Sequence, residues 1–251
     1  MPNPQRGSPK QPQQSPQWPL FVYTQPQDIH IARIAREGGS SIDSTRSYGG
    51  FHAPYASRIM RMDQCFGAFV DFLHDARLWD DSIVILTADH GDSLGEGGRW
   101  GHAYTIYPEV IRIPLIVHVP QQFLNGRVID LNRLAFSTDL TPTLYDLLGH
   151  ELTETSPLFG RSLLPLRGQT QTPKTGLIVS SYGPVFGWLS HQGRSLFIAD
   201  AINYREESFR IPLEGPAVAE EVTDDVHRSG RAAIKEATRM LDTYYRVPLR
   251  R

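Results

Sequence analysis

A single cysteine, Cys65, stands in the 251 residues. No intrachain disulfide is therefore available, and cysteine usage says nothing about redox compartment. Long apolar runs are also missing. No stretch approaches the roughly 18 uninterrupted apolar residues of a membrane-spanning helix, and the start, Met1-Pro2-Asn3-Pro4-Gln5-Arg6, is polar and does not resemble a secretory signal. Charge of one sign is scarce: 25 Lys and Arg face 27 Asp and Glu, for a formal net charge of −2. Nucleic-acid binding has no electrostatic support at that balance. On these grounds the chain reads as soluble, with localisation left open.

What is present has the proportions of a globular α/β protein, with 40% hydrophobic residues. Residues 1–18 hold five prolines and five glutamines and are expected to form a disordered leader. Leu20-Phe21-Val22-Tyr23 reads as a short buried strand, and the Gly/Ser-rich residues 36–54 as a loop. From Tyr55 to Leu78 the period becomes helical, with Ile59, Met62, Phe66, Phe69, Val70 and Leu73 on one face and Cys65 read as a small core residue among them. The β-branched run at 82–88 predicts a central strand, parallel to strands near residues 20 and 114. Thr138-Asp139 can cap a helix that stops at Gly149. After about residue 170 short strand candidates at Leu177–Ser181, Val185–Leu189 and Ser195–Ala199 suggest an antiparallel sheet, followed by a helix from about Arg231 to Tyr245. The expected organisation is a leader at 1–18, an α/β unit at 19–170 and a small subdomain at 171–251.

The segment Thr87-Ala88-Asp89-His90-Gly91-Asp92-Ser93-Leu94-Gly95-Glu96, followed by Trp100-Gly101-His102, carries the chemistry. Asp89 follows a strand exit, where open α/β sheets place their ligands. Carboxylate and imidazole are ordinary divalent-metal ligands, and Gly91 permits a sharp turn after them. Asp92 and Glu96 read as loop caps, and Arg99 as a surface charge. His52, His74, His118, His150, His191 and His227 have no constellation around them and read as structural.

The run from Tyr55 to His102 resembles the alkaline-phosphatase superfamily and, within it, the sulfatases. Further landmarks carry the same resemblance: Phe21 to His30, Glu109-Val110-Ile111-Arg112-Ile113-Pro114-Leu115-Ile116, Asp139-Leu140-Thr141-Pro142-Thr143-Leu144 and Gly160-Arg161-Ser162-Leu163-Leu164-Pro165. Together they cover roughly residues 19–168. The resemblance implies part of an α/β/α sandwich with a small C-terminal antiparallel sheet and helix. It implies Asp89 and His90 as metal ligands, and His102 and His30 as catalytic residues that meet the sulfate or phosphate oxygens. Calcium is the ion it implies first, with zinc or manganese if the chain falls on the phosphotransferase branch.

The family's nucleophile motif, Cys/Ser-x-Pro-x-Arg, is absent: Cys65 is followed by Phe66-Gly67-Ala68-Phe69. The acidic ligands that the family draws from an early strand have no counterpart in residues 1–18, which hold no carboxylate. Three readings follow. The chain is the C-terminal portion of a sulfate-ester hydrolase, inactive alone and completed by a missing N-terminal half. Or it belongs to a phosphodiesterase or phosphoethanolamine-transferase branch. Or it is a non-catalytic binding or scaffold protein. The expected small-molecule partner is a sulfate or phosphate ester.

Overall fold

The computed structural model describes residues 19–26, 29, 53–128, 130–131, 133–150, 160–166, 175–180 and 182–246. The expected leader at 1–18 and most of the expected loop at 36–54 lie outside these residues. Helix α1 runs Ala53–Asp75. Of its predicted apolar face, Leu73 is buried, while Met62, Phe66 and Val70 are half-buried and Ile59 and Phe69 are exposed. Cys65, expected in the core, sits at the margin of this stripe and is exposed. The helix is fastened at its C-terminal end by aromatic stacking. Trp79 lies between His74, with ring centroids 4.7 Å apart, and His118, at 3.7 Å, and the His118 Nε2 donates to the Trp79 carbonyl. Both histidines thus have the structural role expected of them.

Strand β1, Val84–Thr87, is followed by a hairpin of β2, Ser93–Leu94, and β3, Trp100–Gly101. The short helix α2, Pro108–Ile111, leads into β4, Leu115–His118, and then α3, Gln121–Leu124. β1 pairs with β4 antiparallel, Val84 opposite His118 and Thr87 opposite Leu115. This corrects the expectation of a central strand parallel to its neighbour near 114. A parallel pair needs a crossover long enough to return the chain to the far end of the sheet. Between β1 and β4 the longest helix has four residues, so the chain comes back at the end it left. Among the described residues β1 has one strand neighbour, and Val84 to Leu86 are half-buried and Thr87 exposed rather than covered on both faces. The expected strand at 20–23 is not formed either. Leu20 to Tyr23 are exposed and pair with no strand among the described residues; four apolar residues do not make a strand without a partner for their backbone groups.

Helix α4, Leu140–Leu147, ends at Gly149 in the left-handed region, as its sequence predicts. It explains why two sequence landmarks travel together. The buried Asp139 carboxylate accepts from the Phe136 and Arg161 backbone N–H groups, at 2.9 and 2.8 Å, and the Thr143 hydroxyl accepts from Leu163 N–H at 2.9 Å. Gly160 lies so close to the Thr138 carbonyl that a Cβ would overlap it.

The remaining chain forms a five-stranded antiparallel meander: β5 Gly176–Val179, β6 Val185–Ser190, β7 Ser195–Asp200, β8 Arg205–Arg210 and β9 Val218–Glu220. Helix α5, Asp224–Arg246, packs across it. The predicted small sheet and terminal helix are therefore present, with β8, β9 and two more helical turns that the sequence reading did not assign. β8, Arg-Glu-Glu-Ser-Phe-Arg, is too polar to show as an apolar run. The meander holds the main core cluster, Val185, Leu189, Leu196, Ile198, Phe209 and Ile211, and Ile106 from the preceding loop inserts into it. No helix among the described residues is long and apolar enough to cross a membrane.

Helix α5 is tied to β8 by Glu206, which accepts from the His227 Nδ1 at 2.6 Å and from the Arg231 guanidinium. Burial alone would raise the Glu206 carboxyl, but these two donors outweigh it and hold it below the ordinary glutamate range. Because the folded value is depressed, the contribution is complete above the unfolded glutamate range and is lost as pH falls through the folded value. Glu206→Gln should therefore cost about 1 kcal/mol at neutral pH, since both donors are about half exposed. That loss should shrink in thermal melts as the pH is lowered through the folded value; a pH-independent difference would contradict this account.

Candidate active site

The loop 88–114 leaves β1 and returns to β4 at one end of the strand pair, and the Thr87 hydroxyl closes its base by donating to the Pro114 carbonyl at 2.8 Å. Inside, the loop is folded around Glu109. One carboxylate oxygen, Oε1, accepts from Ser93 Oγ at 2.8 Å and from Arg99 Nε and Nη2 at 3.0 and 2.9 Å. Arg99 also lies over the Tyr107 ring, 4.0 Å from its centroid. Arg99 is thus neither the free surface charge expected from sequence nor a substrate clamp, but a brace of the loop. Gly91 N–H donates to the Val110 carbonyl at 2.7 Å, and a Cβ on Gly91 would overlap the Glu109 carbonyl oxygen. The outer end of the loop is held by the C-terminal sheet. Tyr107 donates to Glu207 at 2.8 Å, and Arg112 donates to the Pro212 and Leu213 carbonyls. Burial, followed by the hydrogen bond to Glu207, pushes the Tyr107 phenol up to about 12, so it stays a donor at neutral pH.

Within this frame Asp89, His90 and His102 come together. The His90 and His102 rings lie against each other with centroids 3.7 Å apart and planes inclined at 31°. Asp89 Oδ2 lies 3.9 Å from His90 Nε2, and Asp89 Oδ1 accepts from the His90 backbone N–H at 3.1 Å. His30, the fourth expected residue, lies outside the described residues. The residue that sequence reasoning undervalued is Asp92. Its side chain is only 5% exposed and receives His102 Nδ1 at 2.8 Å. The spacing held the clue. Asp92 lies two residues after His90 and ten before His102, close enough in the chain for one loop to bring it to both. Asp89 is 64% exposed and is met by Gln25 Nε2 at 3.2 Å. Glu96 does behave as the expected loop cap, accepting from Leu94 N–H.

His90, Asp92 and His102 each offer a ligand atom, and these atoms lie within 4.8 Å of one another. The hydrogen bonds also select the histidine tautomers. A carbonyl oxygen only accepts, so His90 Nδ1, 2.9 Å from the Gly91 oxygen, is the protonated nitrogen when the ring is neutral. The Asp92 carboxylate fixes His102 the same way. Each ring then presents Nε2 as its lone-pair atom, the arrangement in which a histidine ligates a metal or exchanges a proton. Tyr55 of α1 stands near this group: burial, and then the Asp92 charge, raise its phenol above the ordinary range.

Comparison with known proteins identifies the family. A family model described as Sulfatase matches residues 5–150. Choline-sulfatase of Rhizobium meliloti (strain 1021) is 28% identical over 190 residues, covering 72% of this chain and 36% of that protein. N-acetylglucosamine-6-O-sulfatase of Bacteroides thetaiotaomicron is 29% identical over 127 residues, covering 50% of this chain and 22% of that protein. The chain thus spans about a third or less of the length of these relatives. Among solved structures, a 2-O GAG sulfatase superposes with a TM-score of 0.53 at 21% identity, over 76% of this chain and 42% of that one, which shows the fold.

Gly91→Ala tests how the loop is held. The added methyl must push the Glu109 backbone away, and the expected cost is about 1–3 kcal/mol. The two rings should also separate, which histidine NMR shifts would report. A fully stable variant with unchanged shifts would show that the Gly91 to Glu109 contact is not a constraint.

Proposed function

Because the chain belongs to the sulfatase family, we propose that it forms the metal-binding portion of a hydrolase acting on sulfate esters. The observation that carries this reading is the convergence of His90, Asp92 and His102 at the end of β1, with Asp89 beside them. In this reading His90, Asp92 and Asp89 hold a divalent ion, and His102 meets the ester group. The donor set is a fit test for the ion. Calcium takes six to eight oxygen ligands, whereas an imidazole beside carboxylates suits manganese or zinc. Calcium remains the ion implied by the sulfatase resemblance, so His90 is the residue that tilts the choice toward a transition metal and toward the phosphotransferase branch. Such an ion would supply Lewis-acid stabilisation of the charge that grows on the ester oxygens.

The chain's own residues do the rest. Asp92 fixes the His102 tautomer and orientation, so that Nε2 can exchange a proton with the leaving oxygen. Glu109 and Arg99 keep the loop in one conformation, which places both rings before substrate arrives. The nucleophile of this reading comes from outside these 251 residues, since they hold no Cys/Ser-x-Pro-x-Arg.

Two measurements test the proposal. Calorimetric titration of the chain with Mn2+, Zn2+ and Ca2+ should show one site, lost in His90→Ala and weakened about 10–100-fold in Asp92→Asn. Identical metal binding by wild type and both variants would remove the assigned ligands. The chain alone should not turn over an aryl sulfate or aryl phosphate with any of these ions. Turnover that disappears in Asp89→Ala and His90→Ala would instead place an unrecognised nucleophile within the chain.

A further inference from the structure

The C-terminal sheet carries a cavity that the candidate active site does not use. It is open to solvent, has a volume of about 490 Å³, and lies where the turn between β6 and β7 meets the segment that leaves β8. Small-molecule pockets are of this size, roughly 300–1,000 Å³. Ile211, Pro212 and Leu213 line one part of it, and His191, Arg194 and Arg210 another. The backbone holds the two arginines as neighbours. Ser195 pairs with Arg210 across β7 and β8, and the Arg194 carbonyl accepts from Ile211 N–H at 2.8 Å.

The turn that carries His191 and Arg194 is sharply bent. His191, Gln192 and Gly193 are successive left-handed residues, with φ of 50°, 56° and 82°. Non-glycine residues adopt that region rarely, and keep it where their surroundings hold them there. Here Arg194 N–H closes the turn on the Ser190 and His191 carbonyls, at 3.1 and 3.3 Å, and Gly193 lies so close to Leu134 that a Cβ would overlap it.

The donors of this cavity outnumber its acceptors. Arg210 donates through Nε to Glu220 at 3.0 Å, and its two Nη nitrogens have no partner among the described residues. The Arg194 guanidinium makes no hydrogen bond or ion pair among them. The His191 ring meets Ser190 Oγ through Nδ1 at 3.1 Å, which leaves Nε2 unused. The Pro212 and Leu213 carbonyls are already taken by Arg112, a third guanidinium behind the wall. Glu220 is the one carboxylate that lines the cavity. Like charges on neighbouring strand positions repel, and an anion shared between Arg194 and Arg210 would reverse that.

Three ligand chemistries can be compared. An inorganic anion would engage the guanidiniums but leave Leu213, 62% exposed, in water. A neutral apolar molecule would leave the guanidiniums unused. An organic anion uses both, because a guanidinium fork matches a carboxylate or phosphate in two parallel hydrogen bonds. We propose that this cavity binds an organic anion, a carboxylate or phosphate on an apolar body about one ring in size, gripped by Arg194 and Arg210 and laid against Pro212 and Leu213. The inference does not rest on the sulfatase reading, since none of these four residues belongs to the candidate active site.

The test follows the amide and arginine Nε–H signals of the metal-free full chain by NMR. Phenyl phosphate is compared with inorganic phosphate, and benzoate with acetate. Phenyl phosphate, benzoate or both should move the signals of Arg194, Arg210 and Leu213. The preferred aryl anion, which identifies the charged group, should bind about tenfold more tightly than its small counterpart, the scale of one ring face taken out of water. Arg194→Gln should weaken that binding about tenfold, and Arg194→Lys, which keeps the charge but not the fork, should recover only part of the loss. Leu213→Ser should cut the aryl advantage to about twofold and leave the small anion's affinity unchanged, which also reports that the cavity is still folded. Signals of the cavity that stay in place with every probe, or that move only in the loop from Gly91 to His102, overturn the proposal. So does equal affinity for aryl and small anions, which leaves a charged surface only, and so does binding indifferent to Arg194→Gln and Leu213→Ser.

Discussion

Glu109 is the residue on which the site depends. Its carboxylate is the point where three parts of one loop meet: Ser93 from the β2 side, Arg99 from the turn of the hairpin, and its own short helix α2. A half-buried carboxylate carrying a hydroxyl and a two-nitrogen guanidinium contact is well satisfied, and removing it would leave Arg99 with its charge uncompensated. The backbone of the same helix supplies the Val110 carbonyl that receives Gly91 N–H, directly after the Asp89-His90 pair. None of these residues faces the candidate metal, yet together they fix the distance between His90 and His102, which are twelve positions apart in the chain.

The second constraint comes from the C-terminal sheet. Ile106 is part of its core, Tyr107 is bonded to β8, and Arg112 holds the segment after β8. The loop is therefore clamped between the β1–β4 pair at its base and the meander at its crest. A subdomain that carries none of the assigned ligands thus acts on the site, by fixing where residues 104–112 run.

The sequence carried some levels of this structure well and others poorly. Local signals with a physical mechanism were legible: the helical period of α1, the Asp139 to Gly149 helix with its glycine stop, and the short apolar runs of β6 and β7. The strand at 84–87 was legible as a strand, but its direction was not, because pairing direction is set by where the intervening chain runs and not by the strand's own residues. Burial of α1 was overestimated at Ile59, Phe69 and Cys65, since periodicity identifies a face but not what covers it. At the site, residue type pointed to Asp89, His90 and His102. Asp92 passed for a loop cap because a carboxylate two residues after a histidine looks like any polar loop until its burial is known. Arg99 was read as a surface charge because its partner, Glu109, is ten residues away and lies in a different element.

The antiparallel pairing of β1 with β4, which the sequence did not suggest, accounts for the compactness of the site. In a parallel arrangement the chain would leave the C-terminal end of β1 and travel the length of the sheet before β4, and only the residues just after Thr87 would stay near the exit. Here Thr87 lies opposite Leu115 and its hydroxyl holds Pro114, so the whole excursion begins and ends at one point. Everything from Asp89 to Glu109 is available to build one pocket wall. A loop of that length held only at its ends would be entropically loose. The internal bonds of Glu109, Gly91 and Asp92, and the outer anchor at Ile106, divide it into short closed segments, each of a few residues. His90 and His102 sit at the junctions between those segments, where the backbone is most constrained. That placement lets two imidazoles lie against each other without either being carried by a helix or a long strand.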